Sequence, residues 1–292
     1  MSNETGPAPT TAATLESFQP RSQAREDPAW VRWLLVGTTY LVIGVLVAVP
    51  LVHVFQQAFS AGIAGYFRNL CDRDTLHAIF LTLMVSPVAV AMNVVFGLAA
   101  AWAIARFQFP GRTVLISLID LPMSISPVVA GLVFMLVLGL QSPVGQWLRD
   151  HGWQIIFAPP GLVLATAFIT FPLVARELLP LLEAEGVDEE MAALSLGASG
   201  WQMFWRVTLP NLRWGLLYGI ILCNARAMGE FGAVHVVSGR ISGQTDTLPL
   251  RVEKLFQEYD NPGAFAAASV LTLVAILTLI GKSVLERKVH KG

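Results

Sequence analysis

Two ionisable side chains sit four residues apart in an otherwise apolar stretch: Arg226 and Glu230, within Asn224-Ala225-Arg226-Ala227-Met228-Gly229-Glu230. That spacing puts both on one face of a helix. A charge at the centre of a bilayer costs roughly 2.5–3.5 kcal/mol on insertion scales. A span carrying two needs a partner for each, or a wet cavity. Two arrangements meet that need. In one, the residues satisfy each other or nearby backbone. In the other, Arg226 offers positive potential to a crossing anion, and Glu230 offsets it so that the anion is released. Arginine before glutamate is the weaker order for a helical pair, which leaves both open. Asp120, beside Leu121-Pro122, is either a satisfied interior carboxylate or part of a proton relay. Arg176-Glu177 suits pairing or snorkelling at an interface. Ser124, Ser126 and Gly131, around Pro127, suit close helix approach or a pore lining. His53 and His235 stand alone.

Other chemistry finds little support. The five histidines are scattered, so no Cys/His cluster has metal-ligand spacing. Cys71 lies in a polar loop and Cys223 in an apolar span, so no disulfide is expected. Gly281-Lys282-Ser283 resembles the end of a phosphate loop, but Ile276 stands where the required glycine should be, and no Gly-rich cradle or strand precedes it. No His-Glu-x-x-His run or nucleophile constellation is visible. The chain is expected to be non-catalytic and to hold no metal or cofactor. A net charge of −1 excludes nucleic-acid binding through a basic surface.

The elements that would position these residues are membrane spans. Of the 292 residues, 54% are hydrophobic and 13% charged, against about 25% charged in ordinary soluble domains. Mean hydropathy is +0.61. Apolar runs this long read as transmembrane helices. Six are expected: 33–55; 76–105; 114–138, carrying Pro122 and Pro127; 162–182, interrupted near its end by Pro172, Arg176 and Glu177; 214–237; and 265–285. They form one membrane domain over 30–285. Residues 1–29, rich in Ser, Thr, Pro, Gln and Ala, read as a disordered tail and not as a signal peptide. Residues 286–292 form a second tail. With the N-terminus inside, twelve basic residues fall on the cytoplasmic side and six outside (Arg68, Arg73, Arg149, Arg240, Arg251 and Lys254). The positive-inside rule therefore puts both termini in the cytoplasm.

That orientation also puts a polar island, about 183–212, in the cytoplasm. Glu183, Glu185, Asp188, Glu189 and Glu190 precede Met191-Ala192-Ala193-Leu194. Acids at a helix start are stabilised by its dipole. Gly197 suits a left-handed stop. Ser199 then opens a capping box with Gln202. A second helix, about 200–208, carries Trp201, Phe204 and Trp205, and Pro210 is expected to interrupt before the fifth span. The first helix is small enough for a groove on another protein. The second suits the membrane interface. The island either docks a partner or lies on lipid.

The island resembles the membrane subunits of bacterial binding-protein-dependent ABC importers. Their pattern is Glu-Ala-Ala, three residues, Gly, nine residues, Ile, one residue, Leu-Pro. Ala192, Ala193, Gly197, Val207, Leu209 and Pro210 fall on that register. Met191 stands where the family has Glu, with Glu190 one residue earlier, and Val207 replaces Ile. Similarity to the sulfate/thiosulfate permease subunits of that family extends over about 30–285. It is carried by Arg106-Phe107-Gln108-Phe109-Pro110-Gly111-Arg112, Ser126-Pro127-Val128-Val129-Ala130-Gly131, Gly197-Ala198-Ser199-Gly200-Trp201-Gln202-Met203-Phe204 and Asn224 to Val234.

The resemblance implies an all-α membrane protein with six transmembrane helices in the type I ABC importer permease (MetI-like) fold, in a bacterial inner membrane. It implies that the stretch Glu190, Met191, Ala192, Ala193, Leu194 and Gly197 couples to a cytoplasmic ATPase. It also implies three partners: a second, homologous permease subunit, an ATPase dimer that alone binds ATP and magnesium, and a periplasmic sulfate- or thiosulfate-binding protein. The outer segment 239–261 is either that protein's contact or a solvated loop. Arg226, Glu230, Ser126 and Asp120 are the translocation-path candidates. Two alternatives remain: a permease for another oxyanion such as molybdate, or a secondary transporter or channel that runs without an ATPase.

Overall fold

The computed structural model describes residues 28–289, with side chains through Ser283; most of the expected tail 1–29 and residues 290–292 lie outside the described residues. The chain divides at Pro50 into two units. The first holds the leading part of helix α1 (Ala29–Ala58), whose large apolar side chains are exposed on every face. A helix that is apolar all round fits lipid or a buried position.

Every regular element among the second unit's described residues is a helix. It contains α2 (Gly62–Leu70), α3 (Arg73–Arg106), α4 (Arg112–Ser124), α5 (Pro127–Leu138), α6 (Pro143–Asp150), α7 (Pro159–Glu185), α8 (Asp188–Ser195), α9 (Gly200–Met203), α10 (Leu209–Met228), α11 (Gly232–Ser238), α12 (Leu248–Gln257) and α13 (Asn261–Val289). Four helices, α1, α3, α7 and α13, are long and apolar enough to cross a membrane unbroken. With each of two bent pairs taken as one broken span the number is six, as expected.

The bends fall where the sequence forces them. The expected third span is two helices, α4 and α5, meeting at 108°. Pro127 disfavours the helical conformation at the residue before it, and Ser126 (ψ 133°) is extended, as is Ile125 (ψ 139°). The fifth span breaks at Gly229-Glu230-Phe231, with a 53° bend between α10 and α11. Two expected interruptions do not occur. α7 runs unbroken through Pro172 and Pro180, because α3, α4, α10 and α11 pack along it and supply the surroundings that let a proline stay in a span. Pro210 does not stop the chain either. A π-turn over Phe204–Thr208, closed by the Leu209 amide donating to the Phe204 carbonyl, joins α9 to α10. The wider turn accommodates a residue with no N–H and a bulky ring.

Three helices form the main core. Val90 and Ala101 of α3, Val174, Leu178 and Leu182 of α7, and Leu212, Cys223 and Ala227 of α10 are buried together. A small polar network lies inside it. The Asn93 amide donates to Thr170 Oγ1 at 2.7 Å and meets Cys223 Sγ at 3.5 Å. Thr170 in turn donates to the Thr166 carbonyl. Such bonds replace water that an apolar interior cannot supply.

At the end of α3 away from the island, α12 is latched to its first turn. Arg251, 9% exposed, meets Asp72 Oδ2 at 2.9 Å and Asp74 Oδ2 at 3.9 Å. The Leu248 amide donates to Thr82 Oγ1 at 2.8 Å. Burial pushes the Asp72 carboxyl up, but the Thr75 amide and Arg251 outweigh it, and the net pKa is lowered. A carboxyl whose folded pKa is depressed stabilises the fold fully above its unfolded pKa, about 4, and loses that contribution as pH falls through the lower folded value. Thermal unfolding in detergent should therefore show an acid-side loss of stability below about pH 4. That component should be absent in Asp72→Asn. An unchanged acid profile in the variant would show that the latch carries no such linkage.

Candidate functional site

The island has the two-helix form its sequence signals. Asp188, Glu189 and Glu190 occupy the first turn of α8. Gly197 closes it at φ +92°, with the Gly197 amide donating to Leu194 and the Ala198 amide to Ala193. Ser199 and Gln202 make the reciprocal capping box at 3.3 and 3.0 Å. No heavy atom lies within 4 Å of a Cβ added at Gly197, so the requirement there is conformational and not steric. Gly197→Asn, which tolerates the left-handed region, should leave the loop intact. Gly197→Val should loosen the end of α8 by about 1–2 kcal/mol, read as faster limited proteolysis between 195 and 200. Equal cleavage of the two variants would contradict this.

Several large apolar side chains of the island point outward, while Met203 is buried. Leu196 is 89% exposed, and Met191, Leu194, Trp201 and Trp205 are also exposed. Ala192 is exposed and Ala193 half-buried. Glu190 faces the other way. Its Oε2 lies 2.7 Å from Arg106 Nε, with both side chains about nine-tenths buried. Its Oε1 accepts from the buried Thr208 hydroxyl at 2.7 Å. The Nε–H is not aimed along the Arg106–Glu190 contact, so the two meet as an ion pair and not as a linear hydrogen bond. Arg106 also donates to the Leu182 carbonyl at 2.8 Å. On the surface, Asn211 donates to Glu189 at 2.6 Å, and Arg112 pairs with Glu183 at 3.1 Å. The island thus has an outward apolar face and an inward polar base.

The two helix breaks lie against each other. A Cβ on Gly232, at the start of α11, would stand 2.8 Å from Pro127 Cβ at the start of α5. One on Gly131 would stand 2.8 Å from the Ala233 carbonyl oxygen. Glycine at both positions lets α5 and α11 touch backbone to backbone, so Gly131 serves the close approach expected of it. Ser126 caps α5 without bonding its own amides, and its side chain is exposed. Arg226 and Glu230 sit at the other break and pair at 2.6 Å. Their exposures differ sharply, 44% for Arg226 against 1% for Glu230. The second carboxylate oxygen of Glu230 accepts from the Ala233 amide at 3.2 Å. Glu230 therefore neutralises Arg226 and caps α11, while the guanidinium stays half open. Two helix starts, one exposed hydroxyl and one half-exposed guanidinium occupy neighbouring breaks. Helix N-termini of broken spans favour negative charge.

Asp120 lies on α4, ahead of the first break. It accepts from Arg176 Nε at 2.7 Å, joining α4 to α7, and Arg176 also contacts Met123 Sδ at 3.3 Å. This pair was not legible in sequence, because 56 residues separate its members. The Arg106–Glu190 pair was missed for the same reason. The one available signal was an arginine at the end of an apolar run facing an acid-rich island. His53 packs edge-on against Phe265. His235 lies 3.4 Å from Glu253, which also meets Arg240 at 3.2 Å.

Residues 93–291 match the family described as binding-protein-dependent transport system inner membrane component. The chain is similar to the sulfate transport system permease protein CysW of Escherichia coli (strain K12), 54% identical over 257 residues and 88% of each chain. It is also similar to the sulfate transport system permease protein CysT of the same strain, 35% identical over 255 residues, covering 87% of this chain and 92% of that one. Among solved structures, a chain of a bacterial alginate ABC transporter in complex with an alginate pentasaccharide-bound periplasmic protein superposes with a TM-score of 0.74. That match covers 89% of this chain and 95% of the other at 17% identity, a likeness of fold alone.

Proposed function

The chain belongs to the family of binding-protein-dependent transport system inner membrane components, and from that premise we propose that it is the permease subunit of an ABC importer for sulfate and thiosulfate. It is a multi-pass inner-membrane protein and a transport subunit. Its island faces the cytoplasm, as do both termini, in accord with the basic-residue bias. Similarity to two differently named sulfate permease proteins supports pairing with a second, homologous permease subunit. A periplasmic sulfate-binding protein meets the opposite end, where α12 and the segment 239–261 lie.

The observation that carries this reading is the island: an exposed apolar face on α8 mounted on a buried ionic base. A loop that merely lay on lipid would need no such base. Met191, Ala192, Ala193 and Leu194, with Gly197 closing the helix, dock into a groove on a cytoplasmic ATPase. Trp201 and Trp205 rest at the membrane interface. ATP binding and hydrolysis belong to that partner. When its dimer closes, the island moves, and the pathway alternates between outside and inside access. The differential binding of ATP to the two states supplies the shift.

The anion path runs past the adjoining breaks, where Ser126 and Arg226 present a hydroxyl and half of a guanidinium. Glu230 keeps the site from holding an anion too tightly. Asp120, paired with Arg176, ties α4 to α7 beside that path.

Reconstitution tests the reading. Proteoliposomes holding this chain, its second permease, the ATPase and a sulfate-loaded binding protein should accumulate radiolabelled sulfate only with ATP inside. Uptake that persists without the ATPase would establish a secondary transporter or channel. Accumulation of molybdate in preference to sulfate would keep the importer and change its substrate.

A further inference from the structure

We propose that Arg106 is a positioning residue through which movement of the island is passed to α3, making that helix the rod between the two ends of the subunit. The inference rests on the importer reading above.

The island is covalently continuous only with α7 before it and α10 after it. A hinged loop could swing on those two connections without moving any other span. Arg106 removes that freedom. It is the last residue of α3. Its guanidinium meets Glu190 on α8 and the Leu182 carbonyl near the end of α7. Glu190 uses its second oxygen for Thr208, at the end of the π-turn that leads into α10. Two side chains therefore gather α3, α7, α8 and α10 at one point.

The burial of that point sets its stiffness. Arg106 and Glu190 are each about nine-tenths buried, so little water is at hand to replace either partner when the loop shifts. Breaking a buried pair leaves an uncompensated charge and is strongly unfavourable. Loop and helix end should therefore move together. The Arg112–Glu183 pair of the same region is exposed on both sides, and such pairs contribute little.

The far end of α3 is held in the same manner. Arg251 of α12, buried, meets Asp72 and Asp74 at the first turn, and Leu248 bonds Thr82. α3 has 34 residues, about 50 Å at 1.5 Å per residue. It is held to the island at one end by a pair buried on both sides, and to α12 at the other by buried Arg251 meeting two half-exposed carboxylates. α3 stays one helix through Pro87, with α7 and α10 packed along it, so displacement of one end can reach the other, with Arg106 as the inner pin.

The test compares Arg106→Lys and Arg106→Gln with the unaltered chain, in proteoliposomes holding both permeases, the ATPase and the sulfate-binding protein. Lysine keeps the charge but has no forked donor to hold Glu190 and Leu182 together. ATP hydrolysis and radiolabelled sulfate uptake are read on the same vesicles, so their ratio does not depend on how much complex assembles. Both variants should keep basal hydrolysis. They should lose most of the rise that loaded binding protein produces, and sulfate moved per ATP should fall about tenfold. A purely structural role would lower the amount of complex and leave the ratio alone.

A normal ratio in both variants overturns the proposal. So does a lowered ratio in Glu183→Gln, which removes only the exposed pair with Arg112, equal to that of Arg106→Gln, since the loop would then be sensitive to any nearby charge. If neither Arg106 variant assembles, Thr208→Val removes only the Glu190 contact to the π-turn and is read by the same ratio, with a normal value again overturning the linkage. Failure of the unaltered complex to import sulfate would overturn the importer reading itself, and is seen before any variant is compared.

Discussion

Gly131→Leu should unfold at a much lower temperature than the unaltered chain in detergent and should transport no sulfate. A Cβ at this position would stand 2.8 Å from the Ala233 carbonyl oxygen, and 3.0 Å from both Ala233 Cα and Val236 Cβ. Two of those three atoms are backbone of α11, which cannot rotate away as a side-chain end can. Overpacking of cores costs typically 1–3 kcal/mol. A backbone clash compounded by a leucine side chain belongs at the upper end, about 3 kcal/mol. Gly131→Ala should show the same direction at reduced size. Gly281→Ala is the control: no heavy atom lies within 4 Å of its added Cβ, so its unfolding temperature should hold or rise slightly. Transport should fail in Gly131→Leu because the starts of α5 and α11 touch at the two adjoining breaks, and a side chain at 131 would separate them. A Gly131→Leu protein with normal unfolding and uptake would show that the helix contact is not what holds the breaks together.

Sequence patterns made the one-dimensional features legible and left the three-dimensional pairings dark. Apolar length alone marked the six spans, because lipid demands about 20 apolar residues per helix whatever the fold. The island's caps were readable because Ser199–Gln202 and Gly197 act within a few residues of themselves. The proline effects divided. Pro127 broke its span, with Ile125 and Ser126 extended before it. Pro172, Pro180 and Pro210 did not break theirs, because neighbouring helices or a π-turn absorb the lost bond, and neither is visible locally. The short helices α2, α6 and α12 were absent from the sequence reading, since none is long enough to give a hydropathy signal. Glu190 shows the limit most clearly. Sequence register placed it among the residues that meet the ATPase, one position from the family glutamate. Its side chain instead points back to Arg106, 84 positions earlier in the sequence, and the outward position is filled by Met191. Only the packing of α3 against α7 brings those two charges together.

Arg226 offers the sharpest separation of structure from transport. Glu230 is 1% exposed and Arg226 44%, so removing each leaves a different residue behind. Arg226→Gln strands a buried carboxylate with only the Ala233 amide to hold it. Breaking fully buried pairs costs about 3–5 kcal/mol. With one partner half open to its surroundings, about 2–3 kcal/mol is the reasonable expectation. Glu230→Gln leaves a guanidinium that can find other partners, and its amide oxygen can still accept from Ala233, so it should cost about 1 kcal/mol. The double variant, Arg226→Gln with Glu230→Gln, strands no charge and should recover most of the stability lost in Arg226→Gln. Stability and transport then part company. If the pair is purely structural, the double variant transports as the unaltered chain does. If the half-exposed guanidinium attracts the anion at the breaks, the double variant folds but its uptake at low external sulfate falls roughly tenfold, about 1.4 kcal/mol of interaction, with less deficit at saturating sulfate. The second outcome is expected, because Arg226 keeps 44% of its side chain exposed beyond its contact with Glu230, just before the start of α11, where a broken span favours negative charge. Normal uptake in a stable double variant would return Arg226 to a structural role and move the anion path elsewhere.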